Sequence, residues 1–475
     1  MKKRIFLVIT IFALLSAGGL LMGCRSSQWL QEAVSFAEEM GMNSLFFEKE
    51  TKDTHAIVTA ENDSSETGVK DAHSTATTGA QEASSFDKAA AEDTSFLEAT
   101  EAEPAFLKRE ITLMATGDNL MHMGVVNAGI QADGSYDYSF LFEGISDFLE
   151  VADIKITNQE IILGGNELGF SGYPKFNAPT ELGDAIAEAG YNVVLHASNH
   201  AADREVSGLL NCVSFWENHP EVLMVGIHKE PAESHDIPLL TIDDITFAIL
   251  NYTYGPNLEV IPESVRGHLD MLCDWDRNTG YMDYTTINPQ VLSDIEAAEE
   301  VADVVIVCPH WGTEYTPVPS SYQETFAEQM TQAGADLFIG THPHVVQPVE
   351  WIESENGNRA LCYYSLGNYV STQKQGLCML EAMAWVTFRA TEDGVVISEE
   401  KTGAIPMVCH YKSGPVRAEN VYLLENYTQE QADVHGIRAY GGVNLTLNDL
   451  QTWSEEILGQ WVLTSDAVLE AEGEQ

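Results

Sequence analysis

Leu337-Phe338-Ile339-Gly340-Thr341-His342-Pro343-His344-Val345-Val346 is the stretch from which the rest of the chain is read. A short apolar run ends at Gly340, and two histidines follow with only Pro343 between them. The pattern predicts a buried strand that delivers two imidazoles to the loop at its carboxyl end. Imidazoles this close together can serve one cation or two adjacent ones. Taken alone, the pair is equally consistent with an ordinary loop. Its weight comes from the other strand ends.

Moving outward, residues 321–333 read as a helix, and before it a predicted strand over 303–308 runs into Pro309-His310-Trp311-Gly312-Thr313-Glu314. Further upstream, 111–116 is a strand pattern ending in Gly117-Asp118, and 152–157 is another ending in Asn158-Gln159-Glu160. A helix over 181–189 closes at Gly190, and a strand over 191–195 leads into His196-Ala197-Ser198-Asn199-His200, with Asp203 just beyond. Helices over 207–218 and 289–302 and strands over 222–226 and 247–252 complete the alternation, which implies an α/β layered domain. Residues 256–283 show no clear period and read as a surface insertion. Downstream of Ser365-Leu366-Gly367-Asn368, strand-like segments follow at 382–389 and 394–398. The last fifty or so residues, including 420–424 and 450–458, read as a small helical appendage with an acidic tail.

The ends of the chain have a different composition. Lys2, Lys3 and Arg4 precede an apolar run over 5–21, then Met22, Gly23 and Cys24, the order of an export signal. Leu21-Met22-Gly23-Cys24 resembles a bacterial lipobox, in which the cysteine is lipidated; an uncleaved anchor helix is the alternative, though the run is short for spanning. Both place the remainder outside the cytoplasmic membrane. After an amphipathic pattern over 28–47, residues 50–105 are rich in Ser, Thr, Ala, Glu and Asp and predict a disordered acidic spacer. The expected organisation is therefore a signal peptide at 1–24, a membrane-proximal helix and linker at 25–107, the layered domain at 108–425 and the appendage at 426–475.

The 475 residues carry a formal net charge of −50, which argues against nucleic acid as a partner, because phosphate backbones are held by Lys and Arg. A polyanionic substrate has to be attracted locally, most simply by bound metal. Six cysteines remain after Cys24, at irregular spacings and without a CxxC pair; disulfides are permitted but not required, and Cys308 sits in an apolar strand run.

In open α/β sheets, sites form outside the carboxyl ends of the strands, where loops from several strands meet. Here those loops carry Asp118, Asn158 with Glu160, Asn199 with His200, His310 with Glu314, and His342 with His344. Each has a local reading of its own, as a helix cap, a turn residue or packing against Trp311. Together they are a mixed oxygen and nitrogen donor set suited to Mn²⁺, Zn²⁺ or Fe²⁺ rather than to an all-oxygen calcium cage. A carboxylate with histidines on either side is how two cations are held about 3.5–4 Å apart in hydrolytic sites, where the pair clamps an anionic oxygen and acidifies water. His200 could then donate a proton, with Asp203 orienting it.

Gly117-Asp118, Asn158-x-Glu160, Asn199-His200-x-x-Asp203, His310-Trp311-Gly-x-Glu314-Tyr315, Gly340-x-His342-Pro343-His344 and Ser365-Leu366-Gly367-Asn368 occur in that order. Together they resemble the CapA family of bacterial capsule (poly-γ-glutamate) synthesis proteins, over residues of about 110–410. The resemblance implies a four-layer αββα sandwich similar to calcineurin-like metallophosphoesterases. It makes Asp118, Glu160, Asn199, His310, His342 and His344 the metal ligands, for one or two ions, and sets His200 beside the reacting group. Asp203 and Glu314 join His200 as catalytic candidates. The Asp-x-His element of the phosphoesterases is absent, since His122 lies four residues beyond Asp118, and Ser365-Leu366-Gly367-Asn368 reads as a structural turn.

The resulting expectation is a lipid-anchored cell-surface protein with a metal-dependent hydrolase or transferase site. It would act in making, exporting or processing an anionic envelope polymer or its precursor, with membrane synthase subunits as possible partners. A metallophosphoesterase of an exported phosphoester and a non-catalytic synthase subunit are the alternatives.

Overall fold

The computed structural model describes residues 110–440 and 442–473. The signal-like segment, Cys24, the 28–47 pattern and the acidic spacer lie outside them. Two large sheets are present. The first has strand order β17 (Arg417–Leu423), β16 (Gly403–Lys412), β14 (Leu380–Thr391), β1 (Ile111–Asn119), β2 (Ile154–Asn158), β3 (Val193–Leu195) and β4 (Leu223–Val225). Two further strands attach to it, β13 (Asn368–Val370) on β1 and β15 (Gly394–Ile397) on β14. The second sheet runs β11 (Val349–Glu353), β12 (Arg359–Tyr363), β10 (Leu337–Ile339), β9 (Val304–His310), β6 (Ile245–Thr253) and β5 (Leu239–Ile242). A separate hairpin pairs β7 (Cys273–Trp275) with β8 (Met282–Ile287).

Period-two alternation along the strands sorts the apolar side chains into layers. On β1, Ile111, Leu113 and Ala115 enter the core shared with the second sheet, whereas Met114 points to the opposite face. On β9, Ile306 and Cys308 enter that shared core and Val305 and Val307 face outward; Leu337 and Ile339 of β10 face in and Phe338 out. The outward face of the first sheet is covered by the helices Glu181–Glu188 and Glu205–Trp216 through Leu182, Ile186, Leu209 and Val213. That of the second is covered by the helices Pro289–Glu299 and Ser321–Ala333 through Val291, Ile295, Phe326 and Met330. The order helix, sheet, sheet, helix is a four-layer αββα sandwich, as the resemblance implies. Truncating one of its fully buried Leu or Ile side chains to Ala should cost about 2–5 kcal/mol.

Strands β1, β2, β3 and β4 are mutually parallel, as are β6, β9, β10 and β12, so each group ends its strands on one side. The helix Ser321–Ala333 between β9 and β10 begins where the sequence predicts, at a capping box in which Ser320 and Gln323 satisfy one another's backbone N–H. It stops at Gly334, whose φ of 119° suits glycine.

Elsewhere the boundaries differ. Strand β9 includes Pro309 and His310, so His310 is the last residue of a strand rather than a loop residue. The stretch 256–283 is not a simple surface insertion: Ile261, Val265, Leu269, Met271, Leu272 and Cys273 are buried in it, and it holds β7. Its apolar residues follow no period because short irregular segments bury them. Asn420 to Leu423 belong to strand β17 on the sheet edge, not to a helix. The helix Leu447–Leu458 forms, and its Leu450 and Leu458 pack into the core between the sheets. The six described cysteines are free thiols, all buried. Among the described residues no helix is long and apolar enough to cross a membrane.

Candidate metal centre

Every residue singled out from the strand ends arrives in one place. Asp118 is the eighth residue of β1, and the chain beside it is confined: a Cβ on Gly117 would run into the carbonyl oxygen of Gly367. The N–H of Asp118 donates to that same carbonyl at 2.9 Å. From β2, Asn158 Nδ2 donates to Asp118 Oδ1 at 2.7 Å, and Glu160 follows two residues later. From the second sheet, the backbone N–H of His342 approaches Asp118 Oδ2 at 3.3 Å, and His344 Nδ1 lies 3.0 Å from the same oxygen. His342 and His344 both have positive φ, 98° and 58°, an uncommon conformation for residues with a Cβ and one that costs on the order of 1–3 kcal/mol each. The loop is held in it by its surroundings, including Gln347, which accepts from Gln323 Nε2 at 2.7 Å and donates to the carbonyl of Thr316 at 2.8 Å.

Glu160 sits in the middle. Its Oε2 lies 3.7 Å from His344 Nδ1, and its Oε1 lies 3.9 Å from His200 Nε2 and 4.0 Å from His310 Nε2. It is buried, yet neither oxygen has a hydrogen-bond partner; Asn158 Oδ1 and His342 Nδ1 are buried and unpartnered as well. Buried polar atoms are ordinarily satisfied, so a Glu160 with both oxygens unpartnered among ligand-type side chains suits a cation. Donor atoms of Glu160, His310 and His342 fall within 4.8 Å of one another, as do those of Asp118, Glu160 and His344, and those of Glu314, His342 and His344. Glu160 belongs to the first two of these groups, the position of a bridging carboxylate between two ions. The residues present therefore fit a divalent cation, singly or as a pair.

Electrostatics agree. Burial pushes the Glu160 carboxyl well above the usual range; the nearby His344 opposes this, and Asp118 adds to it. Burial, reinforced by neighbouring imidazoles, holds His310 and His342 well below the ordinary histidine value, so both are neutral and able to ligate. At His344 burial also pulls down, but the Glu160 and Asp118 carboxylates outweigh it and hold the ring at about 9.

Asn199 presents Oδ1 to His310 Nε2 at 3.0 Å. His200 donates through Nδ1–H to Asp203 Oδ2 at 2.7 Å, leaving Nε2 turned toward Glu160. Asp203 is fixed in turn by the N–H of Phe176 at 2.7 Å, and the Phe176 ring meets His200 edge to face. Glu314 is the one exposed member, at the rim, where the N–H of Tyr315 donates to the Pro343 carbonyl at 2.8 Å. A cavity of about 510 Å³ opens over the centre, lined by His122, Tyr173, Lys175, His200, Glu314 and Tyr315 among others. His122 faces it as a neutral base, its pKa lowered to about 4 by burial and by His344 and His200.

Sequence reasoning missed several neighbours. Asn368, read as part of a structural turn, places Oδ1 3.0 Å from His344 Nδ1. Thr341 Oγ1 bonds His310 Nδ1 at 2.9 Å, fixing the ring from behind. Asn257, from the stretch without a period, lies 3.4 Å from His200 Nε2 through its Nδ2. Position just after a strand end was the available signal for Thr341; nothing in spacing marks Asn257.

Fold and centre together define an αββα sandwich protein with a carboxylate-, amide- and imidazole-lined site across its two sheets. The family model for bacterial capsule synthesis proteins, PGA_cap, matches residues 112–373, and the chain belongs to that family. It is similar to a capsule biosynthesis protein CapA of Bacillus anthracis, 27% identical over 315 residues, covering 64% of this chain and 70% of the relative. It is also similar to a PGA biosynthesis protein CapA of Bacillus subtilis (strain 168), 29% identical over 190 residues, with 40% of this chain and 44% of that one covered. Among solved structures, a hypothetical protein from Thermus thermophilus aligns with 62% of this chain and 99% of its own at a TM-score of 0.35 and 15% identity. The Thermus thermophilus sulfate thiohydrolase SoxB in complex with glycerol aligns at 0.34 and 10%, over 73% of this chain and 60% of its own.

Proposed function

We propose that this protein works at the bacterial cell envelope, anchored through a lipid on Cys24, and acts on an anionic capsular polymer such as poly-γ-glutamate, or on its precursor, at a divalent-metal site. The observation that carries the reading is Glu160, buried with both oxygens unpartnered between two sets of donor residues. Asp118, Glu160, His344 and Asn368 would hold one ion, and Glu160, Asn199, His310 and His342 the other. The metal would supply charge to bind an anionic oxygen and to acidify water. The names of the relatives support the envelope polymer, and Lys175 at the cavity rim offers a cation to a polymer that a chain at −50 would otherwise repel.

The chain's own residues supply proton handling. His200 faces the centre through Nε2 while Asp203 holds Nδ1, which orients the ring to give a proton to a leaving group. Burial of Asn199, Glu160 and His310 excludes bulk water from the inner side. Membrane synthase subunits are the partners this reading expects.

The test is elemental analysis of the purified protein, followed by assay on γ-linked glutamyl amides and on phosphoesters. One or two equivalents of Mn, Zn or Fe, reduced in His342→Ala together with turnover of the amide, support the reading. Turnover of phosphoesters alone would favour an exported phosphoester as substrate. Full metal content in His342→Ala would overturn the site.

A further inference from the structure

A second group of ligand-type side chains lies outside this centre, at the carboxyl end of β4. Residues 226–228 and 268–270 form a short antiparallel ladder: Ile227 bridges Leu269, the N–H of His228 donates to the His268 carbonyl at 2.9 Å, and that of Asp270 donates to Gly226 at 3.0 Å. The ladder is tied to the second sheet, because the Asp270 carbonyl accepts from Thr253, the last residue of β6, at 3.0 Å. It brings His228 Nε2 to 2.7 Å from Asp270 Oδ2. A separate loop then lays His235 flat on His228, ring centroids 3.4 Å apart and planes 7° from parallel. His235 is held there by its Nε2, 2.9 Å from the Gly267 carbonyl. Gly267 has a φ of 76°, and a Cβ on it would come within 2.7 Å of the Ala232 carbonyl oxygen, so the loop passes this point only over glycine.

One donor atom from each of His228, His235 and Asp270 falls within 4.8 Å of the others. A histidine that ligates through one nitrogen normally gives its other N–H to a carbonyl or carboxylate, which is how His235 stands toward Gly267. Side-chain exposures of 19% for His228 and 25% for Asp270 leave the group open to a cavity of about 750 Å³. Its other walls carry Glu233, Asp236, Asp274 and Asp294 against Arg266 and Arg277, with Asp274 paired to Arg277, so the lining remains acidic on balance and favours a cation. Two imidazoles, one carboxylate and an open fourth position are the donor set of a borderline divalent cation such as Zn²⁺.

We propose that His228, His235 and Asp270 form a second divalent-cation site, independent of the Glu160 centre, that clasps the 231–235 loop to the ladder. On binding, the rings would tilt apart so that both can point at the ion.

The experiment measures zinc equivalents retained by the full-length protein after gel filtration, for the wild type, His235→Ala, His235→Gln and His342→Ala/His344→Ala. Melting in EDTA identifies which of the two His235 variants folds like the wild type, and the comparison uses it. The expected result is a loss of one equivalent on changing His235, with one equivalent still held by the His342→Ala/His344→Ala protein. Unchanged zinc in the His235 variants, or complete loss of zinc on removing His342 and His344 alone, overturns the proposal.

Discussion

Glu160→Gln is expected to move stability in opposite directions with and without metal. In the metal-free protein Glu160 is buried with two unpartnered oxygens, and burial pushes its carboxyl well above the usual range. Leaving a buried polar group unsatisfied costs about 1–3 kcal/mol. Gln keeps the shape, cannot ionise, and brings an NH₂ that can donate to lone pairs at the surrounding imidazoles and amides. Above about pH 9, where His344 has lost its charge and no Glu160–His344 attraction is forfeited, the variant should therefore be more stable than the wild type in EDTA by roughly 1–3 kcal/mol, a Tm rise of about 2–6 °C for a domain of this size. With metal the order reverses. An amide is a poor substitute for a bridging carboxylate, and a wild-type protein at a hundred times its Kd gains about 2.7 kcal/mol from the ligand. The assay is a pair of melting curves for each protein, in EDTA and in excess Mn²⁺ or Zn²⁺. Should Glu160→Gln be less stable under both conditions, Glu160 is part of the structural core and the argument from its unpartnered oxygens fails.

Two further outcomes follow from the same geometry. His344 is held at about 9, above its ordinary value near 6.5, so in the metal-free protein its charge adds stability that is complete below about 6.5 and is lost as pH rises through about 9. A cation must displace that proton, so affinity should climb by up to about a hundredfold between pH 7 and 9, with proton release seen by calorimetry in two buffers; a flat profile refutes it. Gly117→Ala drives a methyl into the Gly367 carbonyl beside Asp118 and should cost roughly 1–3 kcal/mol or more in urea titrations, with loss of metal, whereas an unchanged midpoint would show that the backbones can part.

The strands that end at the centre were legible because they combine a buried apolar run with a change of chemistry at its end. Asp118, Glu160, His310, His342 and His344 could all be found this way, and the helix Ser321–Ala333 was read with the bounds it has, which the structure explains by the Ser320–Gln323 capping box and Gly334. What was illegible depends on contacts between distant segments. Asn257 approaches His200 from a stretch whose apolar residues obey no period, and Asn368 reaches His344 only because β13 lies along β1. The strand at Asn420 was hidden because β17 is an edge strand whose buried residues, Ala418, Val421 and Leu423, do not alternate strictly, and the Ala418-to-Val421 spacing is that of a helix face.

Asp118, Glu160 and Asn199 are carried by one sheet, and His310, His342 and His344 by the other. Neither half of the sandwich holds the whole donor set, so metal occupancy would report whether the two sheets are correctly docked. An ion that binds there acts as a rivet through the middle of the fold. A fragment bearing one sheet would have to wait for its complement before the donor set could close, and a misregistered sandwich would leave that set open even with every residue present.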